Sequence, residues 1–159
     1  MVEGVSDWDA ESGSLLIATF RLNQSLFGVD STLVQEVVLM GEIRGVHHAP
    51  GYVAGIRNLR GRIVTVVDLG VKLGLGGVVR GPEARILIVD WEGEPVGLLV
   101  DTVDETIALG ETALEPPPPN LHGTQQRVLQ GVCRNGGSLV GLLDLGAVLG
   151  TGEPAAPAA

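Results

Sequence analysis

The sequence predicts an all-β fold in which two small barrels are related by an internal pseudo-two-fold axis, with short helical turns between strands. Its 159 residues include 24 glycines and 9 prolines, a composition that favours many turns and few long helices. Only 3% of the residues are aromatic, so the core is expected to consist of valine, leucine and isoleucine. Each half of the chain offers about five short strands, and closing these strands into a barrel removes exposed sheet edges.

The segment from Gly55 to Gly74 is repeated without a gap between Gly131 and Gly150. In each copy we expect a strand, a tight glycine turn, a second apolar strand and a short helical turn that begins at an aspartate. Isoleucine, valine and threonine fill the stretch Ile63–Val67, which suits a buried strand better than a helix. The identical pairs include Gly61/Gly137, Val64/Val140, Asp68/Asp144, Leu69/Leu145 and Gly70/Gly146. The repeat indicates a duplicated unit.

The remaining strands also fall into two similar groups. In chain order they are predicted at Ser14–Leu22, Leu26–Val29, Val34–Met40, Arg85–Trp91 and Val96–Val100. The first two and the last two form hairpins, because only short polar turns separate them. We expect a single domain of two closely joined barrels over residues 14–150, a disordered N-terminal arm over residues 1–13 and a disordered tail over residues 151–159.

Composition also limits the compartment and the partners. No apolar run is long enough to span a bilayer, the acidic N-terminus lacks the features of a signal peptide, and Cys133 is the only cysteine. Together these features predict a cytoplasmic protein. The net charge of −9 argues against nucleic acid as a partner. Between Arg44 and Arg85, however, seven basic and two acidic residues form a basic segment, which can orient the protein on a partner or can simply be a solvated surface.

Few residues could carry catalytic chemistry. Asp68 and Asp144 occupy equivalent positions of the two copies, as do the paired aspartates of two-lobed aspartic proteases. Those proteases have a threonine or serine after each aspartate, whereas leucine follows here, so helix capping is the favoured interpretation. His47 and His48 lack the spacing of a metal site, and Cys133 is expected to be small, buried and inert. We expect no enzymatic activity, metal or cofactor.

Four blocks of the sequence resemble the CheW-like chemotaxis coupling proteins. Residues 53–69 are similar to that family's Gly-x-x-Asn-Leu-Arg-Gly-x-x-x-Pro-x-x-Asp-Leu-Arg signature. Residues 27–37 resemble Tyr-Gly-Ile-Asp…Val-x-Glu-Ile, residues 96–103 resemble Val-Gly-Leu-x-Val-Asp-x-Val, and residues 129–145 resemble the family's closing segment. The resemblance covers Leu15 to Leu149 in family order, and the four matched blocks together make it specific.

The resemblance implies a fold of two SH3-like five-stranded β-barrels and a non-catalytic role. Proteins of this family join the cytoplasmic tips of chemoreceptors to a CheA-type histidine kinase, whose regulatory domain has the same fold. The implied protein is a cytoplasmic adaptor recruited to membrane-associated receptor arrays, with no nucleic acid partner and no insertion into the membrane. Carried over to this sequence, the receptor- and kinase-binding residues are Val34, Glu36, Val37, Asn58, Leu59, Arg60 and Gly61.

These residue types suit contact with a receptor helix. Arg60 can donate paired hydrogen bonds to a carboxylate or to carbonyl groups, and Val34 and Val37 offer apolar area for a helix in a groove. Glu36 is expected either to order Arg60 before binding or to pair with a basic residue of the partner.

The sequence also departs from the family pattern. Thr65 replaces a proline, Gly70 replaces the arginine after Asp-Leu, and His47 or His48 replaces a proline often found before the receptor loop. These changes spare the barrel core and concern the partner surface. Two alternatives stand beside the coupling protein: a CheW-like scaffold of a non-chemotactic pathway, which these departures suit, and a two-lobed aspartyl hydrolase, which the paired Asp68 and Asp144 suggest.

Overall fold

The computed structural model describes residues 8–9, 14–110, 114–117 and 127–150. Its strands are β1 (Trp8–Asp9), β2 (Ser14–Leu22), β3 (Ser25–Asp30), β4 (Val34–Leu39), β5 (Val53–Leu59), β6 (Arg62–Asp68), β7 (Arg85–Trp91), β8 (Glu94–Val100), β9 (Thr102–Gly110), β10 (Leu129–Asn135) and β11 (Ser138–Leu143). Its helical turns are a 3₁₀ turn (Ser31–Leu33), α1 (Leu69–Lys72) and α2 (Leu145–Gly150). Strands dominate, and the all-β prediction is confirmed.

The strands form two sheets that have the same internal order. The first runs β9-β2-β3-β11-β10, with β1 added beside the start of β2, and the second runs β4-β7-β8-β6-β5. Each sheet contains one parallel pair, β3 with β11 in the first and β6 with β8 in the second. The predicted fold of two SH3-like five-stranded units related by duplication is confirmed.

Each sheet takes strands from both halves of the sequence, although we expected each half to close its own barrel. β2 and β3 join β9, β10 and β11, whereas β7 and β8 join β4, β5 and β6. The two hairpins have therefore exchanged places between the barrels. The connections after β3 and β8 are only three residues and one residue long, so the chain passes directly from the hairpin into the neighbouring sheet.

Gly28 and Gly97 show how closely the two barrels correspond. A Cβ atom on Gly97 would lie 2.6 Å from Cγ2 of Ile86, and a Cβ atom on Gly28 would overlap Cγ2 of Ile17. In both hairpins an isoleucine of the first strand thus crosses over a glycine of the second. A glycine inside a strand commonly marks such a close approach.

The largest core cluster joins the two barrels. It includes Phe20 and Val29 from the first sheet and Ile86 and Leu98 from the second. A smaller cluster inside the first barrel consists of Leu15, Ile17, Leu109, Cys133, Val140 and Leu142. Aliphatic side chains dominate both clusters, as predicted. Because one continuous core spans both sheets, the barrels pack as a single unit.

The predicted arm and tail lie mostly outside the described residues. Trp8 and Asp9 pair with Leu15 and Ser14, so at these two residues the structure differs from the predicted disordered arm. Residues 1–7, 10–13 and 151–159 are not among those described, and the domain limits stay a prediction. None of the helices within the described ranges is long and apolar enough to cross a membrane.

Candidate partner-binding surface

Strand β4 forms one edge of the second sheet and exposes an apolar face. Half-buried and exposed side chains alternate along it, as the two-residue period of a strand requires. Val37 is 44% exposed and Leu39 is 62% exposed, and Leu33, just before the strand, is 45% exposed. Neighbouring exposed aliphatic side chains are a feature of interaction surfaces, which makes β4 a candidate for partner contact.

The β5–β6 hairpin turns over Arg60 and Gly61, as predicted. Leu59 pairs with Arg62, and the φ angles are +52° at Arg60 and +88° at Gly61. Two successive positive φ angles are the feature of the type I′ turn that two-residue hairpins favour. Gly61 N donates a hydrogen bond of 3.0 Å to Oδ1 of Asn58, which stabilises the turn.

Arg60 occupies a backbone position that favours glycine. The equivalent turn of the first barrel has Gly136 and Gly137 there, with φ angles of +59° and +94°. A residue with a side chain pays about 1–2 kcal/mol for the left-handed conformation. Because glycine at this position would avoid the cost, the presence of an arginine indicates a role for its side chain.

The Arg60 side chain spans the gap between the two edges of the second sheet. Its Nη2 donates a hydrogen bond to Oε2 of Glu36 on β4. The side chains are 67% and 37% exposed, so water screens the ion pair and limits its contribution to stability to about 1 kcal/mol at most. The pair is better suited to fixing the direction of the guanidinium, whose other N–H groups can then meet a partner.

Arg57 closes the same gap, although the sequence does not single it out. Its Nε donates a hydrogen bond of 2.9 Å to the carbonyl oxygen of Met40, and its Nη2 donates one of 3.3 Å to that of Leu39. Cys133 holds the equivalent position in the first barrel. This difference between the two repeats is the only feature of the sequence that points to Arg57. Arg57 thus holds the end of β4 against β5.

The predicted site residues come from β4 and the β5–β6 hairpin, and we call the region that these two elements form the β4–turn surface; as neighbours on β4, Glu36 and Val37 point to opposite faces of the strand. The predicted site residues are Val34, Glu36, Val37, Asn58, Leu59, Arg60 and Gly61. Asn58, Arg60 and Gly61 are exposed, whereas Val34 and Leu59 are half-buried and pack against the core. Val34 and Leu59 are therefore better placed to support the surface than to contact a partner. The binding role of the whole set stays a prediction.

Asp68 and Asp144 cap α1 and α2. Val71 N donates a hydrogen bond of 3.1 Å to Oδ1 of Asp68, and Ala147 N donates one of 3.2 Å to Oδ1 of Asp144. Asp68 is 5% exposed and also accepts a hydrogen bond from Val78 N. The interpretation of both aspartates as helix caps is confirmed.

Cys133 is buried in the first barrel, as predicted. Its side chain is 1% exposed, and burial raises the pKa of its thiol above the ordinary value. A thiol that stays protonated is a poor nucleophile and a poor metal ligand. Across the described ranges, no group of three or more histidine, cysteine, aspartate or glutamate residues could hold a metal ion.

A groove between the barrels adjoins the start of β4, and we call it the inter-barrel groove. It encloses about 310 Å³ and is lined by Asp30, Leu33, Trp91, Asp144, Gly146 and Leu149, among others. These residues come from elements that are far apart in the chain. No local motif therefore indicates which residues line the groove.

Comparisons with known proteins agree with this geometry. The CheW-like domain family matches residues 17–153 of the chain. The chemotaxis protein CheW of Treponema pallidum (strain Nichols) is 30% identical over 133 residues, which cover 81% of this chain and 78% of the relative. CheW of Rhizobium meliloti (strain 1021) is 27% identical over 142 residues, which cover 89% and 92%. The crystal structure of the scaffolding protein TtCheW from Thermoanaerobacter tengcongensis has a TM-score of 0.74 and 33% identity, and the match covers 82% of this chain and 88% of that one.

Proposed function

The chain belongs to the CheW-like domain family, and we propose that it is a non-catalytic scaffold that couples the cytoplasmic tips of chemoreceptors to a CheA-type histidine kinase. A role as a chemotaxis scaffold follows from the family, and the identity of the two partners is the proposal. The protein acts in the cytoplasm, and receptor binding recruits it to membrane-associated arrays. The observation that carries the proposal is the Arg60–Glu36 pair, which joins the exposed β5–β6 turn to β4, the strand that exposes Val37 and Leu39.

The β4–turn surface has the spacing that a helical partner requires. Val37 and Leu39 lie two residues apart on a strand, so their side chains are about 7 Å apart. Residues four apart on a helix rise about 6 Å along its axis, so two successive apolar positions of a receptor helix can contact these two side chains. Aliphatic contact of this kind supplies affinity in helix-in-groove recognition.

Arg60 supplies the polar part of the contact. Its guanidinium is held by Glu36 and remains 67% exposed, so it can donate further hydrogen bonds to a carboxylate of the receptor helix. Arg57 and Arg62 lie in the same hairpin and add positive charge to it. A basic patch on a protein with a net charge of −9 favours one orientation of an acidic partner during encounter.

The experiment that tests receptor contact measures the binding of a receptor cytoplasmic fragment from the same genome to three forms of this protein. These are the unmodified chain, Arg60→Glu and the control Arg134→Glu. Arg134 is exposed beside the equivalent turn of the first barrel, so the control carries the same change of charge. We expect Arg60→Glu to weaken binding at least about tenfold and Arg134→Glu to leave it unchanged.

Two results would count against the proposal. Equal binding by Arg60→Glu and the unmodified chain would exclude the β4–turn surface as the receptor site. Absence of binding to both a receptor fragment and a CheA-type kinase would assign the protein to a different scaffold role.

A further inference from the structure

Arginine side chains join the two edge strands of the second sheet. β4 and β5 stand at opposite ends of the order β4-β7-β8-β6-β5, and no backbone ladder joins them within the described residues. Arg60 crosses the gap between them to Glu36. Arg57 crosses it to the carbonyl groups of Leu39 and Met40. The two arginines therefore hold the β5–β6 hairpin and β4 together at two separate points.

The crossing at Arg57 is held by several hydrogen bonds. Three of its N–H groups donate to backbone carbonyl oxygens, which belong to Met40 (2.9 Å), Asn58 (2.8 Å) and Leu39 (3.3 Å). Arg57 is half-buried, whereas Arg60 is exposed, so water competes less for the hydrogen bonds of Arg57. A planar guanidinium that is held in this way fixes the separation of the groups that it joins.

Gly41, just after β4, leaves room for this guanidinium. Its φ angle is +61°, and a Cβ atom on it would lie 2.7 Å from both Nε and Cζ of Arg57. The guanidinium thus lies against a backbone that has no side chain, a close approach for which glycine is the usual residue. Two separate positions of the sequence, 41 and 57, are therefore matched to one contact.

The contacts of Arg57 and Arg60 form a closed network. The carbonyl oxygen of Asn58 accepts a hydrogen bond from Arg57, and the Asn58 side chain accepts one from Gly61 N in the turn that carries Arg60. Arg60 then returns to β4 through Glu36. Because each member of the network is held by the next, Arg57 fixes the β5–β6 turn relative to β4.

The first barrel closes its corresponding gap, between β9 and β10, with apolar residues. Cys133 and Gly136 stand there in place of Arg57 and Arg60. Cys133 is buried in the same core cluster as Leu109 of β9. Because apolar packing suffices to close that barrel, the arginines of the second barrel indicate a role on the surface beside them.

We propose that Arg57 is a positioning residue of the β4–turn surface, which fixes the separation between β4 and the β5–β6 turn and thereby the place of the Arg60 guanidinium. Carbonyl groups of the chain itself take up three N–H groups of Arg57, so it acts through Arg60. The family signature leaves position 57 unspecified. The effect on receptor binding rests on the proposed function, whereas the effect on the turn belongs to the protein alone.

Pairs of spin labels measure this separation in the free protein. Cys133→Val removes the native thiol, and cysteines introduced at Gln35 on β4 and Arg62 on β6, both exposed, carry the labels of the second barrel. Thr106 on β9 and Ser138 on β11 are also exposed and give a matched control pair in the first barrel. Electron paramagnetic resonance then reports the distance between the two labels of each pair.

Two variants disturb the contact from its two sides. Arg57→Lys keeps the positive charge but loses the planar fork of donors, and Gly41→Ala keeps Arg57 but places a Cβ atom against its guanidinium. We expect both to lengthen and broaden the label distance in the second barrel and to leave that in the first barrel unchanged. Gly74→Ala is the control, because its φ angle of +76° imposes a similar strain, but no described atom beyond its own chain neighbours lies within 4 Å of a Cβ atom there. A contribution to stability alone would leave both distances as they are.

Binding of the receptor cytoplasmic fragment to unlabelled protein tests whether Arg57 acts through Arg60. We expect Arg57→Lys to weaken binding about fivefold in the otherwise unmodified chain, but less than about twofold when Arg60→Ala is already present. Arg21→Lys is the control, because Arg21 also links two strands, through Asp104 in the first barrel. It should leave binding of the receptor fragment unchanged.

The positioning role is overturned if the distance in the second barrel is unchanged in Arg57→Lys, or if Gly41→Ala and Gly74→Ala behave alike. It is also overturned if Arg57→Lys weakens binding equally with and without Arg60→Ala, because Arg57 would then contact the receptor itself. If the distances change as expected and the unmodified chain does not bind the receptor fragment, Arg57 still fixes the turn, and the proposed receptor contact is what fails.

Discussion

At the scale of single residues, Arg60 combines an unfavourable backbone conformation with an exposed, oriented side chain. Its φ angle is +52°, and its guanidinium is paired with Glu36. A surface ion pair of this kind contributes about 1 kcal/mol at most, which does not exceed the cost of about 1–2 kcal/mol for the backbone conformation. The combination is therefore explained better by what the side chain contacts than by the stability it provides.

The backbone cost at this turn can be measured by comparing Arg60→Gly with Arg60→Ala. Both variants lose the ion pair, but only alanine keeps the penalty of a positive φ angle. We expect the free energy of unfolding of Arg60→Gly to be higher by about 1 kcal/mol, as measured by urea denaturation. Gly136→Ala, at the equivalent turn, should lower it by a similar amount. Equal stability of the two Arg60 variants would show that the turn carries no strain.

Because of Cys133, we expect the free energy of unfolding to depend on pH in the alkaline range. Its pKa in the folded protein is raised above the ordinary value of 9.0 by burial, so the thiol stays protonated while the unfolded chain begins to ionise. Its contribution is thus fully present below pH 9.0 and is lost as the pH rises towards the pKa of the folded state. We expect Cys133→Val to show a smaller loss of unfolding free energy above this pH. An equal loss of unfolding free energy above this pH in Cys133→Val and in the unmodified protein would show that Cys133 is not the cause.

At the scale of elements, each hairpin depends on a glycine over which an isoleucine packs. A Cβ atom on Gly97 would lie 2.6 Å from Ile86, so Gly97→Ala should lower the free energy of unfolding by roughly 1–3 kcal/mol. Gly28→Ala should have a similar effect in the other barrel. Gly45→Ala is the control, because among the described residues no atom beyond its own chain neighbours lies within 4 Å of a Cβ atom there. Denaturation of the three variants under the same conditions compares them, and equal stability of Gly97→Ala and Gly45→Ala would refute the packing.

The elements that sequence analysis predicts well depend on short-range chemistry. The turn at Arg60 and Gly61 requires only two residues that accept positive φ angles, and the cap at Asp68 requires only the next three residues. The gap between β4 and β5 is different. Arg57 closes it through carbonyl groups 17 and 18 positions away, and no local pattern reports such contacts.

At the scale of the whole molecule, the exchange of hairpins makes each barrel depend on both halves of the chain. β2–β3 and β7–β8 hold equivalent positions in the two sheets, and the sequence pattern alone does not assign a hairpin to one sheet or the other. The assignment depends on the connections after β3 and β8, which are three residues and one residue long and lead the chain from each hairpin into the other sheet. For the same reason, the residues that line the inter-barrel groove come together only in the folded structure.

The exchange predicts that neither half folds alone. Fragments of residues 1–80 and 81–159 should each lack a cooperative thermal transition by circular dichroism. Mixed in equal amounts, they should regain the spectrum and transition of the intact chain, because the paired strands of each sheet then come together. Cooperative folding of residues 1–80 by themselves would contradict the exchanged topology.

Coupling is tested most directly by the autophosphorylation of a CheA-type kinase in the presence of a receptor cytoplasmic fragment, both from the same genome. The activity is measured without this protein, with it, and with Arg60→Glu or Arg134→Glu. We predict that the receptor controls the kinase only when this protein is present, that Arg60→Glu abolishes this control, and that Arg134→Glu preserves it. Receptor control that persists without the protein, or that is unaffected by Arg60→Glu, would contradict the coupling role.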